Sequence, residues 1–169
     1  MVPVPVRVGV VLFVALVVQL AVVNRIELFG ATGDVMVVIA VAAGFVLGRE
    51  RGAVVGFAAG LAVDLVLTTP LGLTALVLTG VGYVSGIVAA NLLRSSRLAV
   101  VALAVVAAPV SVLLWAVVGA LFGQSHLLDA PLMRIAAASA IVALATIWVV
   151  FPVVRWAVED PDRRVRHLS

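Results

Sequence analysis

Few residues in this chain carry side chains that could do chemistry, and their spacing decides which chemistry is open to them. Asp64 is the one acid inside an apolar run. A carboxylate near mid-bilayer costs about 2.5–3.5 kcal/mol on insertion scales, so it must be held by protein or else handle protons or ions. Asp64 lies four residues before Thr68, near the far end of its segment. There it can accept from the free backbone N–H groups that open the next helix, and capping or helix locking is the favoured reading. Tyr83 would sit about 20 Å down that next helix at 1.5 Å per residue, too deep to pair with Asp64 directly. Ser85, Ser111 and Ser139 have no His or Lys at a workable depth to activate them. His126 with Asp129 falls in a loop and His167 in the tail, neither with a second ligand at metal spacing. No glycine-rich phosphate loop precedes a helix in a water-exposed segment. There are no cysteines, which excludes thiol nucleophiles, thiolate metal sites and disulfides. The expectation is no enzyme, no metal and no cofactor.

The elements that position these residues must be membrane helices. Of 169 residues, 65% are apolar and only 11% charged, and the mean hydropathy is +1.34. Soluble domains sit near 45–50% apolar and about 25% charged. A crossing needs about 20 apolar residues, so the length admits six or seven and no second domain of ordinary size. The net charge of +3 comes with eleven arginines and no lysine. The arginines flank apolar segments, so they read as interface anchors rather than a nucleic-acid surface.

Charges and turn residues divide the chain into a transmembrane domain over 1–157 and a charged tail over 158–169. The expected spans are 8–23, 35–47, 53–67, 70–93, 98–122 and 132–156. The first run is longer than a signal-peptide core, and no small-x-small site follows it in 24–29, so it reads as retained. Asp34 reads as the N-cap of span two. The residues 48–52 read as a polar turn, and Thr69 and Pro70 as the cap and first position of span four. Pro109 inside span five removes the bond to Val105. Spans two and three are short. They could form one re-entrant hairpin, but tilted or locally thinned crossings are favoured because the arginines between them need water. Six spans place Arg7, Arg49, Arg51, Arg94, Arg97, Arg155, Arg163, Arg164 and Arg166 on one side, and Arg25 and Arg134 on the other. That bias predicts cytoplasmic termini.

The stretch 52–86 is the most informative. Gly52, Gly56 and Gly60 recur every four residues and so form a stripe on one helix face, with Asp64 next in the same series. Gly44 with Gly48, and Gly82 with Gly86, repeat the spacing. In lipid, small residues let helix backbones approach closely. Ordinary helix packing accounts for the glycines taken alone.

These residues also carry a resemblance. The segment Gly56-Phe57-Ala58-Ala59-Gly60-Leu61-Ala62-Val63-Asp64, then Pro70-Leu71-Gly72-Leu73-Thr74-Ala75-Leu76, then Gly82-Tyr83-Val84-Ser85-Gly86, is similar in order and spacing to the MreD family of bacterial rod shape-determining membrane proteins. The resemblance covers about 30 residues; outside them it rests on hydropathy and length. It implies an all-α integral membrane protein, a compact six-helix bundle like the substrate-binding subunits of energy-coupling-factor vitamin transporters. It implies a non-catalytic scaffold of the cell-elongation complex, needed for cell shape and side-wall peptidoglycan synthesis. The implied partners are MreC first, then RodA, an elongation transpeptidase and MreB, in the bacterial plasma membrane and without nucleic acid. Gly56, Phe57, Gly60, Asp64, Leu71, Gly72, Tyr83 and Gly86 are the matching positions, expected to serve core packing and the partner-binding face.

Two other functions compete. A small-molecule-binding subunit of a transporter would follow from the fold analogy, but it needs convergent polar or aromatic groups, and the outward-facing set (Asp34, Asp64, Thr68, Thr69, Gln124, His126, Asp129) is sparse. A proton-coupled carrier would use Asp64, yet relays need several ionisable groups in series.

Overall fold

The computed structural model describes residues 3–21, 34–66, 71–91, 97–123 and 131–158. Six helices follow in order: α1 (Val4–Ala21), α2 (Val35–Leu47), α3 (Arg49–Asp64), α4 (Leu73–Asn91), α5 (Arg97–Leu121) and α6 (Leu132–Val158). No strand occurs among the described residues. Four of the helices, α1, α4, α5 and α6, are long and apolar enough to cross a membrane.

The axis of the bundle is α2. Every residue from Val35 to Phe45 is buried, sheathed by α3, α4, α5 and α6. At 13 residues it is about 20 Å long, well short of a hydrocarbon core of about 30 Å. A helix enclosed by protein need not match the bilayer thickness itself. Asp34 opens it, with Oδ1 accepting from the Met36 N–H at 2.8 Å, as an N-cap should.

A single residue, Gly48, joins α2 to α3. Its φ of 84° and ψ of 178° lie in a region open essentially to glycine alone, and its N–H closes α2 by donating to the Gly44 carbonyl at 3.0 Å. The expected turn over 48–52 therefore shrinks to one residue, and Arg49 through Gly52 already belong to α3. The reason is backbone freedom: a residue that adopts this conformation reverses the chain without a loop. At the other boundary, Thr69 and Pro70 lie outside the described residues, and α4 begins at Leu73 rather than at Pro70. The tail over 159–169, with His167, and the loop carrying His126 and Asp129 also lie outside them.

α5 and α6 pair with each other and cover the remaining face of α2. Phe45 of α2 meets Phe151 of α6 edge to face, with ring centroids 6.2 Å apart. α1 lies at the periphery, with only Leu12 and Gln19 buried. It is tied at both ends. The Arg7 guanidinium stands 5.6 Å over the Trp156 ring, and Gln19 Oε1 accepts from the Val35 N–H at 3.0 Å.

The outward faces of α1, α5 and α6 carry large apolar side chains such as Phe13, Val106, Leu121, Met133 and Trp148, each more than half exposed. A belt of that kind has no place on a water-soluble monomer, and it is the surface that lipid requires. Of the six described arginines, five gather at one end of the bundle. Arg7 meets Trp156, Gly86 abuts Arg49, Arg51 follows Arg49 in the first turn of α3, and Arg97 and Arg155 line one cleft. Arg134 stands at the other end, in the first turn of α6.

Candidate functional site

The site is built on the hairpin of α3 and α4, the most closely packed pair in the molecule. The two helices run antiparallel in a fixed register. Gly52 faces Gly82, Gly56 faces Leu78, Gly60 faces Ala75, and Gly86 faces Gly48 and Arg49. A methyl group added to Gly56 would overlap the Leu78 carbonyl, and one on Gly60 would overlap the Ala75 backbone. One on Gly52 would overlap the Gly44 Cα, and one on Gly44 the Gly82 carbonyl. Three backbones therefore meet around Gly44, Gly52 and Gly82. Those neighbours are main-chain atoms that cannot swing aside. In lipid there is no hydrophobic transfer to drive this association, so dispersion between touching backbones holds the seam.

Asp64 closes the open end of the hairpin. It is 2% exposed and is the last residue of α3. Its Oδ2 accepts from the Gly72 N–H at 2.9 Å and the Ala75 N–H at 3.1 Å, and its Oδ1 from the Thr74 N–H at 3.2 Å. The carboxylate thus sits on the N-terminus of α4, where unsatisfied N–H groups and the helix macrodipole favour an anion. Gly72, at φ 96°, takes a left-handed turn that presents its N–H to Asp64. Three donors on one carboxylate are the compensation that a buried charge requires. Tyr83 lies far along the seam, opposite the start of α3, and is not a partner of Asp64.

The eight positions matched in the sequence divide by where they point. Gly56, Gly60 and Gly86 lie in the seam, while Asp64 and Gly72 lie at its cap. Phe57, Leu71 and Tyr83 face outward, at 49%, 72% and 41% exposure. On α4, Leu76, Gly80, Tyr83, Val84 and Ile87 form one outward stripe, and a methyl group on Gly80 would meet nothing within 4 Å. Gly80 is a notch in an apolar ridge, flanked one turn on by a phenol. Small residues on a lipid-facing ridge admit a second helix closely, and Tyr joins a large apolar ring to one hydrogen-bonding tip.

Sequence reasoning missed Gly80. It lies two residues before Gly82, so at 100° per residue it points away from the seam; a helical projection of α4 separates the two glycines. It also passed over Gln19, whose polar side chain inside an apolar run was the available signal. Among the serines, Ser111 and Ser139 donate to the carbonyls of Ala108 and Ala136 within their own helices at 2.7 and 2.8 Å, and Ser85 is buried against Gly44. No group of three or more His, Asp or Glu placed to hold a metal occurs among the described residues.

Comparison with known families gives a match over most of the chain. The model of a family described as rod shape-determining protein MreD aligns over residues 4–156, nearly the whole described chain. No curated protein and no solved structure gives a significant match. The likeness to energy-coupling-factor subunits accordingly stays an expectation.

Proposed function

The chain belongs to the MreD family of rod shape-determining proteins and is a multi-pass membrane protein; from that premise we propose that it is a non-catalytic scaffold of the cell-elongation complex that binds MreC through the outward face of α4. The observation that carries the reading is the division of labour on that helix. One face is committed to the glycine seam with α3 and α2. The opposite face presents Leu76, Gly80, Tyr83, Val84 and Ile87 as an apolar ridge with a notch. Beside that notch Tyr83 joins a large apolar ring to one hydrogen-bonding tip, which suits a protein partner. RodA, the transpeptidase and MreB belong to the wider complex in this reading. All six helices cross the plasma membrane, α2 and α3 as short spans, and both termini are cytoplasmic. The arginine-rich end of the bundle supports that orientation.

Depletion of the protein in its rod-shaped host tests the reading. Cells should become round, the wild-type gene should restore rods, and Gly80→Leu should restore them poorly. Rods that persist after depletion contradict the role; rods fully restored by Gly80→Leu contradict the docking face.

A further inference from the structure

At the arginine-rich end of the bundle, residues of α5 and α6 line a cleft of about 100 Å³. Ile147, 1% exposed, forms its floor. Val101, Trp148 and Phe151 form its walls, and the exposed Arg97 and Arg155 stand at its rim. Pro152 also lines it and, having no N–H, leaves the Trp148 carbonyl without its helical donor.

We propose that this cleft binds one anionic glycerophospholipid, its phosphate between Arg97 and Arg155 and the first part of an acyl chain against Trp148 and Phe151. Two cations converging on an apolar slot match an amphiphile whose anion is joined directly to hydrocarbon. The rim lies at the ends of two apolar helices, where head groups sit, and basic pockets between membrane helices hold such head groups. The helix dipoles do not supply the selectivity. α5 begins here and α6 ends here, so their terminal partial charges oppose each other. The arginines therefore carry it. Inorganic phosphate could meet the same guanidinium groups but would leave the apolar walls uncovered. This site is separate from the α4 face and stands whether or not that face binds a partner.

Native mass spectrometry of the purified full chain, with phosphatidylglycerol or phosphatidylcholine of the same acyl composition, tests it. One phosphatidylglycerol per chain should bind at least about tenfold more tightly than phosphatidylcholine. Arg97→Gln and Arg155→Gln should each weaken it about fivefold, while Arg134→Gln at the opposite end should not. Val101→Trp, which fills the slot and leaves both arginines, should abolish the adduct while helicity is retained. Equal binding of the two lipids, or an adduct indifferent to Arg97→Gln and Val101→Trp, overturns the proposal. Displacement of the lipid by millimolar inorganic phosphate also overturns it, since charge alone would then suffice.

Discussion

Asp64 and Gly48 mark the two ends of the α3 segment, and each works by a different physical means. Asp64 holds three backbone N–H groups. Asp64→Ala strands them in the bundle, at about 1–3 kcal/mol for each group that finds no other acceptor. Asp64→Asn keeps one acceptor oxygen and should cost about 1 kcal/mol. Thermal unfolding in detergent should rank wild type above Asn and Asn above Ala. A transported proton would instead make the Asn variant as inactive as the Ala variant. Gly48 has open space around it, so Gly48→Ala meets no steric obstacle. Its cost should be the backbone cost alone, about 1–3 kcal/mol for that φ and ψ, read from the same unfolding midpoint. The contact of Asp64 with the start of α4 was legible in the sequence because its position near the end of one segment put it within reach of the next. The atoms it holds were not legible. A Thr-Pro pair is a good helix start, but here the start falls at Leu73, where a carboxylate nine residues away in sequence supplies the cap.

At the scale of elements, the seam and the ridge use the same residue type for opposite ends. A methyl group on Gly56 would strike the α4 backbone, whereas one on Gly80 would meet nothing within 4 Å. Ala has the better helix propensity by about 1 kcal/mol, so Gly80→Ala should be neutral or slightly stabilising. Gly56→Ala should lower the unfolding midpoint, because Leu78 main-chain atoms must move before the methyl fits. Gly60→Leu should disrupt partner recovery more than Asp64→Asn does, since a large side chain parts the helices while an amide only weakens a cap; co-purification of MreC with each variant gives the order. The four-residue spacing made the stripe on α3 visible in advance. Its register with α4 was not visible, because periodicity identifies a face without naming what faces it. Nor was the complete enclosure of α2 legible. In lipid a buried helix and a lipid-facing one are apolar alike, so Val35 to Phe45 read the same as the exposed run in α1.

For the whole molecule, lipid on the outside and a filled axis on the inside leave the protein to act through its surfaces. α2 occupies the centre, which disfavours a ligand chamber along the axis. The arginine count along the chain anticipated the clustering at one end, because charges at segment ends are independent of how helices pack. Partner choice is different, since an apolar ridge such as Leu76 to Ile87 has the composition of any membrane helix. The scaffold account therefore stands on whether the α4 ridge is covered by protein or by lipid. The most direct measurement places a photoreactive residue at position 83 in living cells and compares it with one at position 106, an outward position on α5. The account predicts a strong crosslink to MreC from position 83 and little or none from position 106. Equal yields at the two positions, or products at 83 that contain no MreC, would contradict it.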